Sequence, residues 1–339
     1  MKILVLEYIS GGGLIKESIP QSLFREGDLM LNALLDDLAE IEGLRLAVMR
    51  DARLEAPGVQ ASLCNPEVIR VGPEDEFDDL WRAAIRSVDA VWPIAPETGG
   101  VLERLCKDVL ECGKILVNSP PEVVALTASK TKTLEHLNQC GIDVVPTIGL
   151  AEFRDQFSGP WVIKPDDGAG CEGTQMVRDR QALNWLRAKS SASKAIIQPF
   201  VDGPAMSLSA LFKQGDARLL SCNRQHITLH NDFFFLSGCT VNVAPVDPAM
   251  FSELACAIAQ AIPDLFGYAG VDLILTEGGP KVLEINPRLT TSYAGLSRAV
   301  NRNVAAMVLD LLATGSRPSG SIEYAGFDIE LKLGESDDS

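Results

Sequence analysis

Basic residues, histidine and paired cysteines are what this chain has least of. Lys and Arg number 30 against 46 Asp and Glu, a net charge of −16 over 339 residues. That balance argues against nucleic acid or an acidic membrane surface as a partner, and an anionic small molecule would need Lys and Arg gathered locally. There are three His and eight Cys, and no CxxC occurs, so ligands for a zinc site at the usual spacing are missing. Scattered cysteines in a chain of this size suit reduced, mostly buried thiols and a cytoplasmic setting. No stretch approaches the roughly 18 apolar residues of a membrane span. The opening run, residues 1–7, is too short for a signal peptide and reads as a strand. No G-x-G-x-x-G leads directly into a helix and no G-x-x-x-x-G-K occurs, and internal repeats and low-complexity segments are absent. The expectation is a soluble, cytoplasmic protein acting on small molecules, with a homodimer left open.

What is present is a composition of 46% hydrophobic and 22% charged residues, ordinary for a globular protein with a core. The length suits two or three domains of about 150 residues each. Up to residue 118, apolar runs at Ile3–Leu6, Leu44–Met49, Glu67–Val71, Asp89–Ala95 and Lys114–Val117 alternate with helix-period segments near 23–41, 75–87 and 101–112. This alternation predicts an open parallel sheet. Gly11–Gly13 reads as a flexible loop that could cover a site. Residues 96–100 end a strand, where such sheets place ligands, so Glu97 is a candidate substrate contact. A helix N-terminal acid is the plainer alternative. Two helices are expected near 121–126 and 129–140, then a strand over 144–148. Lys130 opens the second helix, where a cation opposes the dipole and so points to an anionic neighbour.

Lys164 stands in the apolar strand Trp161–Pro165, a setting where Lys is rarely buried without a partner. The loop that follows carries Gly168, Gly170 and Gly173 and lets backbone N–H groups approach phosphate; a plain surface loop is the alternative. Gln175–Val177 returns as a strand, so this loop caps a hairpin. The apolar strand at 195 runs into a Pro/Gly joint ending at Pro204. Its backbone groups could hold a purine covered by Phe200 and Val201. Met206–Lys213 and Ala217–Asn223 read as an antiparallel pair. Arg224, placed at that strand's end, is a candidate anion contact or a surface ion pair. Phe233–Phe235 reads as core or pocket wall, Met250–Ile262 as a helix with one apolar stripe, and 296–312 as a last helix. Residues 331–339 read as a disordered tail.

The chain is organised around Gly270–Arg288. Two strands, 271–276 and 281–286, are joined at Glu277-Gly278-Gly279, a hairpin composition. A three-residue loop there pairs Ile274 with Val282 and sets Asp272 opposite Glu284. Alternation then puts Asp272, Glu284 and Asn286 on one face. Opposed carboxylates destabilise a sheet unless a cation lies between them, and oxygen-only ligands suit a hard ion such as magnesium. Arg288 falls near the same face. A solvent-facing hairpin with scattered charges is the bland reading.

Lys130, the 162–165 strand with its glycine loop, the 198–203 joint, Gly270-Val-Asp272 and Leu283–Arg288 stand in an order that resembles the ATP-grasp enzymes over nearly the whole chain. The resemblance implies an α/β and α+β protein with an ATP-grasp fold. A Rossmann-like open parallel-sheet domain would span 1–118, a small lobe with the glycine loop 119–203, and a large lobe with the metal site 204–330. It implies ATP clasped between the lobes, Lys130 and Lys164 on the phosphates, and Gly168, Gly170 and Gly173 over them. Mg²⁺, or Mn²⁺, would bind Asp272, Glu284 and Asn286, and Gln198, Phe200 and Val201 would hold adenine. Many members carry acids where Gln198 and Ala205 stand here, and Asp202 is the substitute for the ribose contact. Within the family, Glu7-Tyr8, Ala95–Gly100, Ser207-Leu-Ser209 and Asn223-Arg224-Gln225 are similar to the tyramine–glutamate ligases of methanofuran-type cofactor biosynthesis. The implied reaction passes the γ-phosphate of ATP to glutamate's carboxylate, after which the amine of tyramine or tyrosine attacks the acyl phosphate. Arg224 and Arg288 would stabilise the transferring phosphate or the tetrahedral intermediate. Another amino-acid or peptide ligase, or a small-molecule kinase, is the alternative. The intact acidic set argues against a binding module without turnover.

Overall fold

The computed structural model describes residues 1–58, 65–168, 170–189, 194–244, 247–318 and 327–333. The expected alternation opens the chain: β1 (Lys2–Glu7), α1 (Gln21–Ala39), β2 (Arg45–Asp51), β3 (Glu67–Val71), α2 (Phe77–Arg86), β4 (Ala90–Ile94), α3 (Val101–Glu111) and β5 (Ile115–Leu116). The five strands form a parallel sheet in the order β3-β2-β1-β4-β5. β1 is buried along nearly its whole length, the habit of a parallel strand covered on both faces. Helix α1 turns Met30, Leu31, Leu34, Leu35 and Leu38 inward, a stripe at helical spacing. The glycines after β1 do not form a flexible cover. Ile9 and Ser10 are buried, and a Cβ on Gly11 would stand 2.4 Å from the Glu7 carbonyl oxygen. These glycines serve close packing.

Next come α4 (Pro121–Ala128), α5 (Lys130–Gln139), β6 (Ile148–Gly149), β7 (Trp161–Pro165), β8 (Gln175–Val177), α6 (Arg180–Lys189) and β9 (Ala195–Pro199). The last part holds β10 (Ala205–Lys213), β11 (Asp216–His230), β12 (Phe233–Val241), α7 (Pro248–Ala261), β13 (Gly267–Thr276), β14 (Gly279–Asn286), α8 (Tyr293–Ala299), α9 (Val304–Asp310) and β15 (Ile329–Lys332). β6 to β15 make one antiparallel sheet, β14-β13-β10-β11-β12-β8-β7-β9-β6, with β15 on β12. One core lies between the two sheets, where α1, α8 and α9 bring Leu31, Tyr293 and Val304 against Leu220 and Tyr268. A second lies on the far face, under α7 and α5.

Four sequence expectations are corrected. The strand expected at 144–148 shrinks to β6, and Val144 instead makes an isolated parallel bridge to Val282. The last helix is two: the chain breaks at Asn301, whose φ is 50°, and Asn303 caps α9 through the Ala306 N–H. Leu331 and Lys332, assigned to a disordered tail, complete β15 against Gly238 and Cys239; residues 334–339 of that tail lie outside the described residues. The hairpin turn is also shorter than expected, because Thr276 pairs with Gly279 and leaves a two-residue loop. A bulge at Leu283, between the Asp272–Glu284 and Leu273–Val282 pairs, absorbs the difference. Asp272 and Glu284 therefore face each other as expected, for a different reason.

Candidate active site

β13 and β14 pair Asp272 with Glu284 and Gly270 with Asn286, which sets the three polar side chains on one face. Asp272 accepts hydrogen bonds from Gln225 Nε2 at 3.0 Å and from Asn286 Nδ2 at 3.3 Å. Glu284 meets Lys130 Nζ at 3.0 Å. Burial and then the neighbouring Glu284 push the Asp272 carboxyl up to about 8. Burial also opposes the charge on Glu284, yet Lys130 and Lys164 together draw it down to about 2. Each carboxylate thus opposes ionisation of the other, and a cation between them would relieve that opposition.

Lys130 is the first residue of α5, and the strain of a cation at that end is relieved locally. Asp166, just past β7, accepts from the Thr131 N–H at 2.8 Å and from Ser129 Oγ at 2.6 Å, a carboxylate at the helix N-terminus where the dipole favours it. Lys130 Nζ also donates to the Gly168 carbonyl at 2.6 Å, which ties the glycine loop to the hairpin. Burial works against the charge of Lys130, but the Glu284 carboxylate outweighs it and its ammonium is held above the ordinary value. Lys164, 9% exposed, is pulled below the ordinary value, chiefly by burial. Among the described residues its Nζ has no hydrogen-bond or ion-pair partner. A buried, unpaired ammonium is costly without an anion.

Asp272, Glu284, Gln225, Lys130 and Lys164 line a cavity of about 380 Å³, together with Gly170, Cys171 and an apolar set that includes Val145, Val162 and Leu283, whereas Asn286 is not among its lining residues. Among the sequence candidates, Lys130, Lys164, Gly168, Gly170, Gln198, Phe200, Val201, Asp272 and Glu284 all line it. In the joint, Gln198 is buried and donates to Thr147 Oγ1 at 2.7 Å. The Phe200 N–H is used by the Pro160 carbonyl, so of the expected backbone donors the Val201 N–H is the one without a protein partner among the described residues. Asp202 is exposed and is not among the cavity's lining residues, though its neighbours Val201 and Gly203 are. Gly173, with φ of 66°, is not among the lining residues.

Arg224 is corrected outright. It sits inside β11 rather than at its end, pairs with Met206 and through it with Leu273, and so points to the face opposite Asp272, where it is exposed. Gln225 occupies the cavity face instead. Arg288 is not free for an anion in this structure: its Nε and Nη2 bind Glu97 Oε1 and Oε2 at 2.9 and 3.0 Å. Glu97, expected to contact substrate, is thus the partner of Arg288. One further residue escaped sequence reasoning. Glu26 of α1 accepts from Thr291 Oγ1 at 2.9 Å, a contact with no local signal.

Among the described residues no group of three or more His, Cys, Asp or Glu is placed to hold a metal. A cation on the hairpin face would have two carboxylates and Asn286 Oδ1 from the protein and would complete its shell with phosphate oxygens and water, the habit of Mg²⁺. The raised Asp272 carboxyl beside an ionised Glu284 fits that demand.

Residues 127–292 match the family model of the ATP-grasp domain and residues 44–124 that of the pre ATP-grasp 3 domain, which together take in most of the chain. The chain belongs to the ATP-grasp family and is an ATP-dependent carboxylate–amine ligase. Tyramine–L-glutamate ligase of Methanocaldococcus jannaschii is 26% identical over 310 residues, 91% of this chain and 88% of that one. A probable alpha-L-glutamate ligase of Marinobacter nauticus is 26% identical over 209 residues, 58% of this chain and 67% of that one. The crystal structure of an L-amino acid ligase from Bacillus licheniformis superposes with a TM-score of 0.67 at 20% identity, covering 91% of this chain and 73% of that one; this likeness concerns the fold. No helix among the described residues is long and apolar enough to cross a membrane.

Proposed function

We propose that the protein joins the carboxylate of L-glutamate to the amine of tyramine or tyrosine, with ATP cleaved to ADP, as a step of methanofuran-type cofactor biosynthesis. The observation that carries the ATP half of this reading is the opposed Asp272–Glu284 pair with two buried lysines on one cavity. The substrate half is supported by the likeness to the archaeal ligase along nearly the full length of both chains.

Phosphoryl transfer asks the protein for position and charge neutralisation rather than covalent help. Lys164 and Lys130 would hold the phosphates, with the loop at Gly168 and Gly170 closing over them and Phe200 and Val201 against the base. Asp272, Glu284 and Asn286 would hold Mg²⁺, which when bound neutralises phosphate charge. Glutamate's carboxylate oxygen attacks the γ-phosphorus, the bond to the ADP oxygen breaks, and the acyl phosphate is then open to the amine. Arg288 would act at this centre through its pairing with Glu97.

The test is ADP release with L-glutamate across a panel of amines, with mass spectrometry of the product. Tyramine or tyrosine yields the amide on this reading. Silence from both, with turnover by another acid and amine, overturns the substrates and leaves the ligase class standing.

A further inference from the structure

Two carboxylates near the cavity already hold a cation each. Lys130 is engaged by Glu284 and Arg288 by both oxygens of Glu97. Glu26, which α1 sends across from the parallel-sheet layer, makes no ion pair among the described residues. Its Oε2 is oriented by Thr291 Oγ1 at 2.9 Å, whereas Oε1 accepts no hydrogen bond among the described residues. That free oxygen looks onto the glycine loop: it lies 3.6 Å from where a Cβ on Gly170 would stand, and Gly170 lines the cavity. A carboxylate oxygen that accepts no hydrogen bond and is open to solvent beside the glycine loop is placed to take a cationic ligand. Of the groups that meet in this reaction, the amine, which enters largely as ammonium, is such a ligand.

We infer that Glu26 receives the amine substrate: its free Oε1 binds the ammonium and takes a proton from the nitrogen so that the lone pair can attack the acyl phosphate. This rests on the ligase chemistry above. The ammonium passes one proton to Oε1, the nitrogen lone pair forms the C–N bond, and the C–O bond to phosphate breaks with its electrons on the leaving oxygen. The nitrogen's other excess proton departs with the phosphate, and Glu26 returns its proton to water. Burial, ahead of the Thr291 hydrogen bond and the Arg288 charge that oppose it, holds the Glu26 carboxyl above its ordinary value, which strengthens it as a base. The other titratable groups in its field are the thiols of Cys171 in the glycine loop and Cys239 of β12.

The experiment compares two nucleophiles on the full-length protein with ATP, Mg²⁺ and the acid that supports ADP release. One is the productive amine. The other is hydroxylamine, which is largely unprotonated at neutral pH and needs no base. In Glu26→Gln, amide formation falls about 100-fold or more, the low end for a lost general base, and hydroxamate formation continues at the wild-type rate. Continued hydroxamate formation also shows that the variant is folded. Thr291→Val keeps the carboxylate and removes its donor, so the pH at which amide formation reaches half its plateau rises while hydroxamate formation does not shift. Equal loss of both products, or undiminished amide formation, overturns the assignment. A wild-type enzyme that yields neither product with any acid overturns the ligase reading itself.

Discussion

Arg288 and Glu97, 191 residues apart in the chain, close a two-pronged hydrogen bond at 2.9 and 3.0 Å with both side chains nearly out of solvent. It joins the end of the β13–β14 hairpin to the loop after β4, and so ties the parallel sheet to the antiparallel sheet. Removing one partner strands a buried charge. Glu97→Ala therefore costs about 3–5 kcal/mol of stability. In a denaturant cycle, Arg288→Met added to Glu97→Ala costs less than the sum of the two single changes. Simple additivity would show that the pair contributes no coupling.

Lys164 carries its charge into a buried site without a protein partner among the described residues. Lys164→Met leaves the unliganded fold at least as stable as the wild type, since it removes a desolvated charge. It weakens ATP binding about 10- to 100-fold, the range of a charge-assisted hydrogen bond. Calorimetric titration with ATP measures this, and an unchanged affinity would take Lys164 out of the phosphate site.

Asp37 of α1 accepts from Tyr293 Oη at 2.7 Å and Ser297 Oγ at 2.6 Å, and burial, the largest influence, holds its carboxyl above the ordinary 3.8. A carboxyl raised on folding favours the fold in its protonated form. Its contribution is fully present below the unfolded value and is lost as pH rises through the folded one. Asp37→Asn keeps an acceptor for both hydroxyls and cannot ionise. The stability of the wild type relative to this variant accordingly falls as pH climbs above about 4 and then levels off. A flat difference across that window would contradict the burial argument.

Much of this was legible because the decisive pattern is local. Asp272, Glu284 and Asn286 follow from alternation and a turn, and a bulge at Leu283 offset a turn one residue shorter than expected. Arg224 shows how narrow that margin is. A shift of one residue exchanges the two faces of a strand, and the cavity received Gln225 instead. Glu26 and the Arg288–Glu97 pair were illegible for another reason: their partners lie 265 and 191 residues away, and docking of the two sheets alone brings them together. The last helix was misread because its apolar period runs on through 301, where Asn adopts a positive φ.

Glu284→Gln keeps an acceptor for Lys130 while removing the charge that would face a cation. ADP formation in this variant falls by at least about 100-fold, as for other lost transition-state charge stabilisation, and thermal unfolding shifts little. Chelation of the divalent cation reduces the wild type to a similar rate, and Mg²⁺ or Mn²⁺ restores it. Full activity of Glu284→Gln, or of the chelated enzyme, would remove the metal from the hairpin.

Acyl phosphate formation is the centre of this account, and isotope transfer tests it without reference to the amine. With glutamate carrying ¹⁸O in its carboxylates, each turnover moves one labelled oxygen into the inorganic phosphate released. Unlabelled phosphate alongside the amide product would mean that the carboxylate never takes the γ-phosphate.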